Sequence, residues 1–230
     1  MINEFGQAIG EPVTTALPAG APPTEPMDGR FCDVVALQPR HADDLWSEFT
    51  AEPDDREWTY LSVGPFESQA EFADWVAAMS GSTDDRFVAV LDASTGRAIG
   101  MAAYLRIAPA AGSIEVGHVH FGASLRGTSA ATEAMYLMMR SAFDSGYRRY
   151  EWKCDSLNEP SRRAARRLGF TYEGTFRNAV VYKGRSRDTA WFSIIDTEWP
   201  AARAEFERWL DPENFDDQGH QRTPLTTATD

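Results

Sequence analysis

The spacing of apolar residues changes period repeatedly along the chain, and each change marks an element. "DVVAL" (33–37) is a short apolar run that reads as a first strand. "RHADDLWSEFT" and "ESQAEFADWVAAMS" follow a helical period, the second with Phe72, Trp75, Val76 and Met79 on one face. Three strand-like runs come next: "RFVAVLD" (86–92), "AIGMAAYLRIA" (98–108) and "SIEVGHVHF" (113–121). "ASTG" and "PAAG" punctuate them, which predicts an antiparallel meander. "TSAATEAMYLMMRSAFDSG" predicts a helix with an Ala131, Met135, Met138, Ala142 stripe and Gly146 at its end. "RRYEWKC" (148–154) reads as a strand, "NEPSRRAARRLG" as a short helix, "FTYEGTFRNA" and "RDTAWFSIID" as two strands, and "PAARAEFERWL" as a last helix.

No internal repeat is visible, and the order of elements is mixed α/β, in the α+β sense. Residues 1–28, with Pro12, Pro18, Pro22, Pro23 and Pro26, read as an extended arm. A single domain is expected over 29–212, and a polar tail over 213–230 that frays from about Asp216.

Charge and composition narrow the partners. The net charge of −13 argues against general affinity for nucleic acid or an anionic membrane surface. No apolar run approaches the roughly 18–20 residues that span a bilayer. "MINEFGQAIGEPV" lacks the basic start and apolar stretch of a secretory signal, so a cytoplasmic protein is expected. Cys32 and Cys154 suggest neither a disulfide framework nor a zinc site. Residues 41–85 hold twelve acids against one base, Arg56, whereas "SRRAARRLGF" packs four arginines into six positions.

The junction "SLRGTSAATEA" (124–134) carries the clearest chemistry. A helix N-terminus offers unpaired N–H groups and partial positive charge, small side chains let a ligand reach them, and Arg126 adds a fork suited to phosphate. A phosphate-bearing ligand is one reading. Tight strand-to-helix packing, with Thr128 or Ser129 as cap, is the other. Neither G-x-x-x-x-G-K-[ST] nor G-x-G-x-x-G is present.

The order strand, "R-x-x-S-x-A", helix, strand, "N-x-x-S-x-x-x-x-x-x-L-G-F" resembles the GCN5-related N-acetyltransferase (GNAT) superfamily over about residues 30–200. More narrowly it resembles the branch of ribosomal-protein alanine acetyltransferases, RimJ/RimL-like. The resemblance implies a mostly antiparallel central sheet, splayed in the middle, with helices on both faces. It implies acetyl-CoA as acyl donor, an amine as acceptor and no metal. Its pyrophosphate motif maps to Arg126, Gly127, Thr128, Ser129, Ala130 and Ala131, with Ser129 where the family usually has glycine. The backbone of Phe121, Gly122, Ala123 and Leu125 would hold the pantetheine arm, with Phe121 or Gly122 donating to the thioester carbonyl. Asn158 and Ser161 match pantetheine- and sulfur-contacting positions. Where many members place a tyrosine acid this chain has Ala165, so Ser161, or a water it holds, becomes the candidate proton donor; the plain alternative is that it only caps or packs its short helix.

Glu115, early in the strand before the loop, is the first candidate base, or else a strand glutamate paired with an arginine. His118 is a secondary base candidate. His118 and His120 share a strand face, and without a third ligand packing is the better reading than metal binding. The acidic segment 41–85, with Trp46, Trp58, Tyr60 and Trp75, either steers a cationic acceptor or simply decorates helix surfaces. The activity implied is acyl-CoA-dependent N-acyl transfer to a small cationic amine or a peptide N-terminus. The alternatives are a non-catalytic acyl-CoA-binding scaffold and an aminoacyl-tRNA-dependent transferase. Many members are homodimers, but the sequence does not fix the oligomeric state.

Overall fold

A computed structural model describes residues 1–22 and 25–227; Pro23 of the expected arm and the last three residues of the expected tail lie outside them. In chain order the elements are β1 (Met27–Asp28), β2 (Cys32–Ala36), α1 (Ala42–Phe49), α2 (Gln69–Ser80), β3 (Arg86–Asp92), β4 (Ala98–Ala108) and β5 (Ser113–Phe121). Then come α3 (Ser129–Asp144), β6 (Arg149–Asp155), α4 (Glu159–Arg167), β7 (Thr171–Tyr182), β8 (Arg185–Ile195) and α5 (Trp199–Leu210). The three meander strands match their expected limits, because alternating apolar runs are bounded there by strong turn residues.

All eight strands form one sheet in the order β1-β2-β3-β4-β5-β6-β8-β7. Every pairing is antiparallel except β5–β6, whose parallel sense requires the α3 crossover. Two apolar clusters cover the two faces. The larger unites α3, α4 and α5 with β6 residues Tyr150, Trp152 and Cys154 and β8 residues Ala190, Phe192 and Ile194. The smaller unites α1 and α2 with Phe87, Ala89, Met101 and Ala103. Helices therefore lie on both faces, as expected.

α3 is buried more widely than its predicted stripe. Thr132, Glu133, Tyr136 and Met139 are buried too, because Trp199 and Phe206 from around α5 stack on Tyr136. Glu133 accepts from the backbone N–H groups of Arg30 (2.8 Å), Phe31 (2.6 Å) and Cys32 (3.0 Å), so its carboxylate ties the β1–β2 turn to the helix. The arm runs back along the molecule, with Ala19 N–H on the Pro109 carbonyl and Gly20 N–H on the Ser145 carbonyl. The polar segment after α5, expected to fray, is tied down over its described residues. Asn214 is buried and donates to the Trp209 carbonyl, and Thr227 donates to the Arg167 carbonyl.

Candidate active site

β5 and β6 pair only over Ser113–Val116 and Arg149–Trp152, and beyond those residues they part. β5 stays paired to β4, and β6 to β8, so a wedge opens between them. Gly122 N–H donates to the Ile99 carbonyl at 2.9 Å, and alternation then turns the polar backbone of Phe121 into the opening. This corrects the expectation for Gly122, whose amide is spent on β4 and cannot serve a thioester carbonyl. Leu125 N–H is spent on the Gly122 carbonyl, and its side chain is fully buried in the larger core. Ala123 is exposed at the head of the opening.

The loop that follows starts α3. Thr128, not Ser129, is the cap, its hydroxyl accepting from Ala131 N–H at 3.2 Å. Gly127 takes φ +74° with open space around its α-carbon, a conformation that side-chain-bearing residues rarely adopt. Among the described residues the amides of Gly127, Ser129 and Ala130 have no partner, as the first turn of a helix requires. This is a concave row of donors suited to phosphate oxygens.

Arg126 reaches toward the other side of the loop. It forms an ion pair with the buried carboxylate of Glu57, in the short 3-10 turn Asp55–Trp58, and lies 3.6 Å from Glu52. Glu57 also meets His120 Nε2 at 3.3 Å, and burial raises its pKa against the opposing pull of Arg126. Glu48 accepts from Ser124 N–H (3.2 Å) and from its hydroxyl (2.6 Å). Glu48 and Glu57 of segment 41–85 thus bond to the loop before α3 and Glu52 lies near it, while Asp44 pairs with Arg97 and Asp54 with Arg56 in exposed contacts. Trp46, Trp58 and Trp75 belong to the smaller core; Tyr60, instead, reaches across the opening to the Leu157 carbonyl at 3.2 Å.

Glu115 sits at the foot of the wedge and is 1% exposed. Lys153 Nζ at 3.2 Å and Arg106 Nε at 3.3 Å flank its carboxylate, and both cations lie over the Trp191 ring. Burial outweighs those two cations and pushes its pKa up to about 7. A β-bulge between Gly117 and His120 puts His118 at φ +47°, with its ring against Phe87. Burial lowers the pKa of His118, so it is a neutral imidazole at physiological pH. His120 stacks on Phe49 at 3.6 Å and meets Trp58 edge-on at 4.5 Å, and burial drops its pKa to about 3. It is a packed aromatic. No cluster of three or more metal-type ligands occurs among the described residues.

Across the opening, Asn158 caps α4 by accepting from Ser161 N–H at 3.1 Å. Trp152 Nε1 donates to Ser161 Oγ at 3.0 Å, so the hydroxyl oxygen is held as an acceptor, with the Cys154 thiol also beside it. Phe121 and Gly127–Ala130 thus lie at the head of the opening and Glu115 and His118 on β5 along one border, while Asn158 and Ser161 follow β6, the other border, on α4. Lys153, Arg106 and Glu57 join them unforeseen, because sheet register and turn placement decide their position.

A family model described as "Acetyltransferase (GNAT) domain" matches residues 34–171. A GCN5-related N-acetyltransferase from Brucella melitensis superposes with a TM-score of 0.89 at 43% identity, covering 93% of this chain and 97% of that one. A probable GNAT-family acetyltransferase from Chromobacterium violaceum gives a TM-score of 0.78 at 40% identity, over 84% and 98%. The ribosomal α-N-protein acetyltransferase RimL shares the fold, with a TM-score of 0.64 at 20% identity over 74% and 94%. Among curated protein sequences there is no match.

Proposed function

This chain belongs to the acetyltransferase (GNAT) family, and we propose from that premise that it passes an acetyl group from acetyl-CoA directly to a primary amine in a ternary complex. The observation that carries the reading is the wedge between β5 and β6, with unpartnered amides at its head and a near-neutral carboxyl at its foot. The amides of Gly127, Ser129 and Ala130, at the first turn leading to Ala131, hold the pyrophosphate, and Arg126 exchanges a carboxylate for it. Phe121 lines the pantetheine arm and supplies its N–H to the carbonyl oxygen as it gains charge.

The amine nitrogen attacks the thioester carbon and loses a proton to Glu115, directly or through water, with neutral His118 in reserve. The carbon–sulfur bond then breaks, and the thiolate takes a proton from Ser161 or from water that Ser161 holds. A small amine and a peptide N-terminus present the same group to this site. Both buried cysteines are free thiols, in keeping with action in the cytoplasm.

Titration calorimetry with acetyl-CoA tests the reading, on wild type and on Arg126→Gln. Saturable binding to the wild type, weakened at least about tenfold in the variant, is expected, an ion-pair loss of the order of 1.4 kcal/mol or more. A wild type that binds no acetyl-CoA overturns the proposal. Binding without turnover of any amine points instead to a scaffold.

A further inference from the structure

β8 turns Ala190, Phe192 and Ile194 into the larger core, so alternation sends Arg187, Thr189 and Trp191 to the opposite face. Three donors on that face, Arg187 Nε, the Thr189 hydroxyl and Trp191 Nε1, are buried and have no hydrogen-bond partner among the described residues. Thr189 is only 3% exposed. A buried donor left unpaired costs about 1–3 kcal/mol, so three on consecutive positions of one strand face call for a ligand that brings acceptors.

The row lies beside the chemistry. Lys153 pairs with Trp191 in register, and Asp155 with Thr189, so only β6, about 5 Å wide, separates the row from the wedge. Glu115, Lys153, Arg187, Thr189 and Trp191 all occupy the sheet face away from the larger core. Phe176 stands opposite Thr189 on β7 and packs on Trp191 with ring centroids 5.3 Å apart, closing the far side. Asp155, buried and directly opposite Thr189 on the same face, accepts from the Tyr182 hydroxyl at 2.9 Å and from Leu157 N–H at 2.9 Å and makes no hydrogen bond to the three donors, so it stands as a fixed negative charge beside the row. The Arg187 guanidinium rests over the Tyr182 ring.

We infer that Arg187 and Thr189 form an anion subsite of the acceptor pocket, and that the acceptor is a primary amine that also carries a carboxylate. The inference rests on the acetyl-transfer reading above. A singly charged carboxylate suits the site better than a phosphate, because Lys153 is committed to Glu115 and the one guanidinium must also offset the buried Asp155 opposite Thr189. Two residues of strand, about 7 Å, separate the Thr189 level from the Trp191–Lys153 level, so the carboxylate sits several bonds from the amine. Trp191 Nε1, between the two ends, serves an oxygen of the acceptor body.

The test measures kcat/KM with acetyl-CoA for γ-aminobutyrate and glycylglycine, each against its own carboxamide, in wild type, Arg187→Gln and Thr189→Val. Melting temperature and acetyl-CoA affinity check that each variant is folded with its donor site intact. We expect wild type to prefer each acid over its amide at least about tenfold, and the preference to shrink to about twofold or less in both variants. Wild type that binds acetyl-CoA but shows no preference for the acids, or turns over neither, overturns this inference alone. A preference that survives in Arg187→Gln also overturns it. Failure of wild type to bind acetyl-CoA defeats the acetyl-transfer reading itself.

Discussion

Burial outweighs two flanking cations at Glu115 and brings its carboxyl into the range where a base works near neutral pH. Desolvation raises its pKa to about 7, with Lys153 and Arg106 pulling the other way. If it accepts the amine proton, kcat/KM carries an acidic limb near pH 7. Glu115→Gln removes that limb and lowers the rate about 10²- to 10³-fold, within the usual contribution of a positioned base. Lys153→Met takes away the nearer cation, so the limb moves to higher pH; an unmoved limb would show that another group is titrating. The same residue affects stability. Its folded pKa is raised, so the folded state binds the proton more tightly and stability falls as pH climbs from about 4.5 to about 7, then levels off. Urea midpoints across that range should slope less in Glu115→Gln. The sequence placed Glu115 in the right strand and left open whether it paired with an arginine. It could not show Lys153, because the β5–β6 register that aligns the two strands is a long-range fact.

At the scale of elements, what could be read followed local periodicity, and what could not depended on partners. β3, β4 and β5 were legible to the residue, each bounded by its own turn signals. The bulge at His118 was not, because a bulge is a count of two residues against one on a neighbouring strand. Alternation within β8 was equally plain, yet the three orphan donors on one side of it emerge only when the strand is seen beside β6 and β7. α3 was legible as a helix but not as a helix buried on several sides, because α5 and the arm that cover it are far away in sequence. Glu133 shows the consequence. In the sequence it follows the Arg126–Ala131 motif with no role of its own, whereas in the fold it satisfies three backbone donors of the β1–β2 turn. Glu133→Ala strands those donors and should cost about 3 kcal/mol of unfolding free energy by urea titration, while acetyl-CoA affinity changes little. A cost below about 1 kcal/mol would mean that water replaces the carboxylate.

For the molecule as a whole, the turn between α1 and α2 works as a clasp over the wedge. Glu57 holds Arg126 on one side, and Lys183 donates to the Trp58 carbonyl at 2.6 Å from the β7–β8 hairpin on the other. The Tyr182 hydroxyl lies 3.4 Å from the Thr59 carbonyl in the same contact. In the proposed donor site binding works against the clasp, since the pyrophosphate and Glu57 would compete for one guanidinium in a chain of net charge −13. Glu57→Gln keeps the side-chain volume and removes the competing charge, so acetyl-CoA should bind about three- to tenfold more tightly by calorimetry. Acidification should do part of the same work in wild type. Burial raises the pKa of Glu57, so it protonates earlier than an ordinary glutamate as pH falls, and the gain from Glu57→Gln should shrink with acidification. Weaker binding in Glu57→Gln would mean instead that the carboxylate aims Arg126 at the pyrophosphate, and that the clasp belongs to the assembled donor site rather than opposing it.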